Sequence, residues 1–291
     1  MIIGVEGPSY RPVGAIMAVN GDGTRVGSLS SGCVEGDIAA HAGEALAQDA
    51  PRELRYGRGS PFMDIQLPCG GGLDIALIPK PDASALAEVA RHRAARIPCV
   101  LQINLDTGAM EVLPDGETGR DGPVFRVRFE PEIRFLVFGK GPEASTFAAL
   151  VQSAGFPNLL LSPDPETRDS AEEAGCPTQA IYRPDFPEDL QVDPWTAIVL
   201  FLHDHEWEPP ILAPALTSNA FYIGAQGSQR ARDARAYELI ASGVDKDDLA
   251  RLRGPIGLIP SARDARLLAV SVLAEVLDEA RLLAAQGNAP A

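Results

Sequence analysis

The feature that most constrains the fold is a continuous apolar run at residues 135–138, which passes directly into the turn Gly139-Lys140-Gly141. A strand with one face in water alternates apolar and polar residues, so an unbroken apolar run predicts a strand buried on both faces. A helical pattern of apolar residues follows the turn. A buried strand, a glycine turn and a helix in this order are typical of a parallel α/β sheet.

The second half of the chain continues this alternation. Apolar runs at 159–161, 197–202 and 221–224 predict further strands, and the pattern at 229–241 predicts a helix. The first half instead has short alternating segments separated by Gly and Pro turns. The sequence therefore predicts an α/β protein, with an N-terminal mixed α+β domain over 1–130 and a C-terminal Rossmann-like parallel-sheet domain over 131–291.

Capping residues predict where two helices begin. Asp37 is placed to cap a short helix over 38–46. Ser261, with Asp264 three residues on, has the spacing of a capping box for a final helix from about residue 263 to residue 286.

The charge of the chain excludes two classes of partner. The net charge is −15, whereas binding to nucleic acid or to an anionic membrane surface requires a basic patch. No apolar run reaches the ~18–20 residues that span a bilayer, and the N-terminus has no signal-peptide pattern. We expect a cytoplasmic protein with reduced cysteines.

The glycine turn predicts a phosphate site. Gly139, Gly141 and Ala144 fit the pattern G-x-G-x-x-A between a strand and a helix, where backbone amides hold a phosphate. Asp164 lies 20 residues beyond Ala144, where a ligand for a ribose hydroxyl is expected. Glu143 puts a negative charge inside the turn, so a domain of this type that has lost its nucleotide stays open as an alternative.

Two of the four cysteines have glycine neighbours. Cys33 follows a glycine where a strand meets a helix, and Cys69 precedes Gly70 and Gly71. Glycine lets a bulky ligand approach closely, a helix N-terminus favours the thiolate, and soft sulfur suits soft metals. We therefore interpret Cys33 and Cys69 as candidate metal ligands. The alternative is that both are small buried residues beside turns, as we expect of the other two cysteines.

His203 and His205 follow the predicted strand 197–202 at alternate positions. Ligands bind at this end of the strands in open α/β sheets, so both rings could face one ligand. A polar loop at the end of the strand is the equally weighted alternative.

Short motifs along nearly the whole chain resemble one family. They read SYRPVGA (9–15), SGCVE (31–35) and PCGG (68–71) in the first half, and FGKG (138–141), HDH (203–205), YIGAQGS (222–228) and GPIGL (254–258) in the second. In this order they resemble the xanthine dehydrogenase accessory (XdhC/CoxI) family. Members of the family usually carry a helix before the first strand, so we expect a truncated start.

The resemblance implies binding of a molybdenum cofactor, as molybdopterin or its cytosine dinucleotide form, and its protection and insertion into an apo molybdenum hydroxylase of the xanthine dehydrogenase type. It also implies a sulfur donor of the cysteine desulfurase type, and a homodimer is a further expectation. Matching the motifs gives Cys33 and Cys69 as hypothetical metal-side ligands within a wider set of cofactor-binding residues: Arg11, Cys33, Glu35, Cys69, Gly70, Gly71, Gly139, Gly141, Asp164, His203, Gly224 and Ser228.

Two other functions remain as hypotheses beside this essentially non-catalytic carrier. The first is an NAD(P)-dependent oxidoreductase, which the Rossmann-like half supports, although a fold does not fix a function. The second is a metal-dependent hydrolase that uses His203, His205 and Asp204, and we rank it below the others.

Overall fold

The structure, a computed structural model, describes residues 1–30, 32, 34–60, 70–202, 204 and 206–286. The chain divides into two compact units, Met1–Pro131 and Glu132–Ala291. Each unit contains apolar cores of its own. No helix in the described part of the chain has both the length and the apolar character needed to cross a bilayer.

The first unit is built from antiparallel strands with two helices in its described part. Strands order as β1-β5-β4 in one sheet and β7-β6-β9-β8 in another, and β2 pairs with β3. The elements are β1 (Ile2–Glu6), β2 (Met17–Val19), β3 (Arg25–Gly27), α1 (Glu35–Gln48), β4 (Arg52–Gly57), β5 (Gly72–Leu77), α2 (Ala83–Ala94), β6 (Cys99–Asn104), β7 (Met110–Leu113), β8 (Gly119–Asp121) and β9 (Val124–Phe129).

The two larger sheets of the first unit each bury one helix face. Ile38 of α1 shares a core with Leu54 and Ile75 from the three-stranded sheet. Val89 of α2 shares a second core with Phe125 from the four-stranded sheet. Helices that cover antiparallel sheets make this an α+β unit, as predicted.

The second unit is a six-stranded parallel sheet in the order β12-β11-β10-β13-β14-β15. Numbered within the unit this is 3-2-1-4-5-6, the doubly wound Rossmann order, so the predicted fold class is confirmed. The elements are β10 (Arg134–Gly139), α3 (Pro142–Ser153), β11 (Asn158–Ser162), α4 (Pro165–Glu173), β12 (Thr178–Ala180), β13 (Thr196–Phe201), α5 (Glu208–Leu216), β14 (Tyr222–Ala225), α6 (Gln229–Ala241), α7 (Lys246–Ala250), β15 (Leu252–Arg253) and α8 (Ala265–Ala285).

Strand β10 is buried on both faces, which explains its unbroken apolar run. Phe135 and Val137 lie in the core formed with α3 and α8, whereas Leu136 and Phe138 lie in the core formed with α5 and α6. The rings of Phe135 and Phe147 meet edge to face, with their centroids 5.9 Å apart. A polar residue at any of the four strand positions would therefore enter one of the two cores.

The helix over 38–46 begins earlier than predicted, and Asp37 is not its cap. Helix α1 starts at Glu35, with Val34 at the cap position and no side-chain hydrogen bond there. The carboxylate of Glu35 accepts hydrogen bonds from amides that precede the helix. Asp37 therefore lies in the first turn, where its Oδ2 accepts a hydrogen bond of 2.6 Å from the hydroxyl of Tyr56.

The predicted capping box of the last helix was also wrong. Ser261 has a φ of +57°, a left-handed conformation that does not suit a cap. Asp264 is the N-cap of α8, and its Oδ1 accepts hydrogen bonds from the amides of Arg266 and Leu267. Asp264, which a capping box would put at the third helical position, is therefore the cap itself.

Candidate functional site

The glycines of the predicted phosphate turn are required by the turn itself. A Cβ atom on Gly139 would lie 2.7 Å from Cβ of Ala144 and 2.9 Å from Cβ of Phe201, so only glycine allows this approach of helix to strand. Gly141 has a φ of +87° and occupies the N-cap position of α3. Their presence is explained by local geometry, whatever ligand the turn binds.

Protein groups already use part of the donor capacity of this turn. The amide of Gly141 donates to Oγ1 of Thr167 at 2.8 Å, and Pro142 has no N–H. Thr167 in turn donates to Oδ2 of Asp164. Oε2 of Glu143 lies 3.6 Å from the position that a Cβ of Gly141 would take. Fewer amides are therefore available for a pyrophosphate than in a glycine turn whose first amides are free.

Asp164 caps helix α4. Its Oδ2 accepts from the amide of Thr167 at 2.9 Å and also from the Thr167 hydroxyl. These hydrogen bonds, assisted by the charges of Arg168 and Lys140, lower the pKa of the carboxyl. Within the described residues, side-chain hydrogen bonds to Asp164 reach only Oδ2. Its role as a ribose ligand stays a prediction, and that role would fall to Oδ1.

Lys140 places a positive charge beside the point in the sheet at which the strand order reverses, between β10 and β13. Its Nζ lies 3.6 Å from Oδ2 of Asp204, which joins the residues that follow β10 and β13. The crevice between the ends of these two strands is the switch point at which open α/β sheets bind ligands. His203 and His205, predicted to meet a ligand here, lie outside the described residues.

A cavity of about 740 Å³ opens along the same edge of the sheet, beside α6, and is lined by residues that follow β13, β14 and β15, among them Leu202, Gln226 and Pro255. Ser228 lines it and caps α6, accepting a hydrogen bond of 3.2 Å from the amide of Ala231. Gly224 does not line the cavity. A Cβ on Gly224 would lie 2.7 Å from both the hydroxyl of Tyr222 and Cγ2 of Ile256, so its side of β14 is filled by packing.

A buried ion pair that the sequence did not reveal forms part of this cavity wall. Nε and Nη2 of Arg235 donate to the two carboxylate oxygens of Glu208 at 2.8 and 3.1 Å. Nη2 also donates to the backbone oxygen of Gln226 at 2.8 Å. Nη1 of Arg235 and Oε1 of Gln226 are buried and have no hydrogen-bond partner in the described structure. The partners lie 27 residues apart, so no local motif indicates the pair.

Glu35 ties down the segment that leads into α1. Its carboxylate accepts from the amide and hydroxyl of Ser30, at 2.7 and 2.6 Å, and from the hydroxyl of Ser28 at 2.9 Å. Burial by itself would raise the pKa of Glu35, but these hydrogen bonds together outweigh it and lower the pKa to about 2. Glu35 is thus an ionised anchor for the residues around Cys33, which itself lies outside the described residues.

Gly70 and Gly71 follow Cys69, which also lies outside the described residues. A Cβ on Gly71 would collide with the carbonyl oxygen of Pro8, so glycine is required where these two backbones meet. Gly70 has a φ of +70° and open space where a Cβ would be. Arg11 is exposed, three residues beyond Pro8, and its backbone oxygen accepts from the hydroxyl of Ser9 at 2.7 Å. The structure therefore brings Gly71 beside the segment that leads to Arg11.

The role of Cys33 and Cys69 as metal ligands stays a prediction. Across the described ranges, no group of three or more His, Cys, Asp or Glu side chains is arranged to hold a metal ion. The described cysteines, Cys99 and Cys176, are buried, and burial raises the pKa of both thiols. Both are therefore poor candidates for reactive thiolates.

Family models match both units. The model of the XdhC and CoxI family matches residues 1–57, and the model of the XdhC Rossmann domain matches residues 135–276. This protein belongs to the XdhC and CoxI family.

Individual relatives extend the match over almost the whole chain. The molybdenum cofactor insertion chaperone PaoD of Escherichia coli is 34% identical over 276 residues, covering 94% of this chain and 80% of PaoD. A Bacillus subtilis protein, named as a probable xanthine dehydrogenase subunit, is 25% identical over 323 residues, covering 97% of this chain and 93% of the relative. A crystal structure of a xanthine dehydrogenase from Bacillus halodurans has the same fold, with a TM-score of 0.77, 23% identity, and coverage of 97% of this chain and 90% of that one.

Proposed function

We propose that this protein binds a molybdenum cofactor and inserts it into a molybdenum hydroxylase of the xanthine dehydrogenase type. The observation that carries the proposal is 34% identity to PaoD, named as a molybdenum cofactor insertion chaperone, over 94% of the chain. The Bacillus subtilis relative, whose name places it with xanthine dehydrogenase, supports the class of recipient enzyme.

Residues 131–291 are proposed to hold the phosphate end of the cofactor. Lys140 supplies a positive charge at the switch point of the sheet, beside a turn whose Gly141 amide is already bonded to Thr167. One phosphate with a lysine needs fewer backbone donors than a pyrophosphate, so these contacts favour molybdopterin over its cytosine dinucleotide form. The same shortage of donors disfavours the NAD(P)-dependent oxidoreductase.

Residues 1–130 are proposed to hold the metal side, with Cys33 and Cys69 as the soft ligands. The carboxylate of Glu35 accepts hydrogen bonds from residues on both sides of position 33, among them Ser30 and Val34. Gly71 is in close backbone contact with Pro8. Anchored flanking residues would present two thiols with little loss of conformational entropy on binding.

A carrier has to release what it holds. We propose that docking of the apo hydroxylase lowers the affinity for the cofactor, and by linkage the bound cofactor then weakens docking to the same extent. A sulfur donor of the cysteine desulfurase type would act before that step, in the cytoplasm. A second copy of this chain stays a predicted partner.

The proposal is tested by co-expressing the protein with the cofactor biosynthesis enzymes and purifying it. Elemental analysis measures molybdenum per chain, and fluorescence after oxidation measures the pterin. The loaded protein is then mixed with an apo hydroxylase whose activity is followed. We expect both constituents to be retained and the hydroxylase to become active. Retention no higher than that of an unrelated protein purified alongside, or no gain of activity, would contradict the proposal.

The role of the thiols is tested with two matched pairs of substitutions. Cys33→Ala with Cys69→Ala should reduce molybdenum retention at least tenfold, because the proposed soft ligands are lost. Cys99→Ala with Cys176→Ala removes two buried thiols and should leave the ratio of molybdenum to folded protein unchanged. Equal retention by the two double variants would remove Cys33 and Cys69 from the site.

A further inference from the structure

Strand β15 forms one edge of the six-stranded sheet, and no described strand pairs with its outer side. Alternate residues of a strand direct their N–H and C=O groups to opposite sides, so either Leu252 or Arg253 directs both groups away from β14. Neither residue has a backbone hydrogen bond outside that pairing in the described part of the chain. The edge therefore offers a donor and an acceptor to an added strand.

An open cavity of about 550 Å³ lies at this edge. The consecutive residues 250–255 line it, so it follows the chain from the end of α7 through β15. Helix α6 lines it with Arg232, and helix α8 lines it with Glu275. The two helices cover opposite faces of the sheet, because Leu239 of α6 and Val272 of α8 lie in different cores. The cavity is therefore a slot between the helix layers, where a further strand would lie.

The two carboxylates that line the slot already have partners. Oε2 of Glu279 lies 2.7 Å from Nη2 of Arg253. The carboxylate of Glu275 accepts from the hydroxyl of Tyr222, at 2.8 Å, and from the amide of Gly257. Groups of the protein thus hold both carboxylates, and an occupant of the slot need not bring a cation for them.

The two other arginines of the slot carry charge that no described carboxylate pairs with. Arg251 donates to the backbone oxygens of Ser218 and Ala220, at 2.8 and 2.6 Å, and to that of Leu216. Arg232 is exposed, and its guanidinium has no ion pair or hydrogen bond with the described residues. With three arginines and two glutamates, the slot is positive in a chain whose net charge is −15. Charge complementarity therefore favours an acidic occupant.

We propose that this slot binds an extended acidic segment of another protein, which adds a seventh strand to the sheet beside β15. The backbone of the segment pairs with the outward groups of β15, and its carboxylates meet the guanidinium of Arg232 and the charge of Arg251. Two backbone hydrogen bonds give little affinity, so the arginines supply most of it. A second copy of this chain fits less well, because pairing of two such edges would bring the arginines of both copies into one interface.

Arg232→Gln tests the charge contact. Arg232 has no partner to lose among the described residues, so the melting temperature should stay unchanged. Arg230→Gln is the matched control, because Arg230 is also exposed near the start of α6 but does not line the slot.

Three fluorescein-labelled peptides of about six residues, the usual length of a strand, separate strand pairing from charge. The first alternates glutamate with valine, the second has lysine in place of glutamate, and the third is the first with its amides N-methylated. Fluorescence anisotropy measures the binding of each. We expect the acidic peptide to bind more weakly as salt is added, the N-methylated peptide to bind about tenfold more weakly, and the lysine peptide not to bind. Arg232→Gln should weaken binding of the acidic peptide about fivefold, and Arg230→Gln should leave it unchanged.

Each contrary result removes a defined part of the proposal. Equal binding of the acidic peptide and its N-methylated form would overturn the strand pairing. Equal losses in the two arginine variants would overturn the slot as the location, and no binding of the acidic peptide at low salt would overturn both. Analytical ultracentrifugation tests the other occupant: a wild-type dimer that Arg232→Gln dissociates would assign the edge to a second copy of this chain and overturn the assignment to an acidic segment.

Discussion

Glu208 and Arg235 form a two-point ion pair, closed off from solvent, that joins the first turn of α5 to α6. The Nε–Oε2 distance is 2.8 Å and the two side chains are 5% and 2% exposed. Removing two charges from water is expensive, so such a pair tolerates the loss of both charges better than the loss of one. The pair connects two helices that cover one face of the parallel sheet and contribute to the wall of the α6 cavity.

Arg235→Met should lower the free energy of unfolding by about 3–5 kcal/mol, because it leaves the carboxylate of Glu208 buried and unpaired. Urea denaturation followed by circular dichroism measures the loss. Arg230→Met, at an exposed position near the start of the same helix, should change stability by no more than about 0.5 kcal/mol. The double variant Arg235→Met with Glu208→Met should recover much of the loss, and failure to recover it would contradict the argument.

Glu35 predicts a dependence of stability on pH. Its pKa is about 2 in the folded protein, below the ordinary value of 4.5. The resulting stabilisation is fully present above pH 4.5 and is lost as the pH falls through about 2. It amounts to at most about 3 kcal/mol. Glu35→Gln should therefore be destabilised by about 2–3 kcal/mol at pH 7, and by only about 1 kcal/mol at pH 3.

Urea denaturation at pH 7 and pH 3 measures this difference for wild type and variant. Glu117→Gln removes an exposed carboxylate from the same unit and should follow the wild type at both values. A Glu35→Gln variant whose loss of stability is the same at pH 7 and pH 3 would show that the ionised carboxylate is not the anchor.

Thr167 connects the glycine turn to Asp164, and Thr167→Val tests that link. Valine keeps the branched shape but leaves the amide of Gly141 without its acceptor. An unpaired buried donor costs about 1–3 kcal/mol of unfolding free energy. Thermal denaturation gives the value, and Thr217→Val, which loses one exposed hydroxyl contact at the end of α5, should cost less than about 0.5 kcal/mol. Equal effects of the two substitutions would argue against the link.

Much of the fold could be predicted because long apolar runs indicate buried strands wherever they occur. The run in β10 identified the centre of the sheet, and the helix predicted over 229–241 is α6. Strand β12 gives no such signal, because an edge strand of three half-buried residues, Thr178–Ala180, has no apolar run. Its pairing with β11 is fixed by the sheet rather than by its own sequence.

The polar contacts of the candidate site were less accessible to sequence reasoning. Asp164 was interpreted from its distance to the glycine turn, whereas a nearer signal was its position directly before Pro165, because Asp followed by Pro at the first helical position is typical of a helix start. Nothing in the sequence singled out Arg235 and Gln226, because their buried contacts depend on Glu208 and on a cavity formed by separate parts of the chain. Long-range pairs of this kind require the three-dimensional structure.

Replacing glycine by alanine should change the stability of the protein in opposite directions at two positions, Gly224 and Gly43. Gly224→Ala would place a Cβ 2.7 Å from the hydroxyl of Tyr222 and from Cγ2 of Ile256. Tyr222 cannot move freely, because its hydroxyl donates to Glu275 at 2.8 Å. Overpacking of this kind typically costs about 1–3 kcal/mol, so the melting temperature should fall. Gly43→Ala, inside α1 with nothing within 4 Å of its Cβ position, should instead stabilise the protein by about 0.5–1 kcal/mol. Scanning calorimetry of both variants decides between packing and helix propensity: if Gly224→Ala were as stable as Gly43→Ala, the close packing of β14 against Ile256 would be refuted.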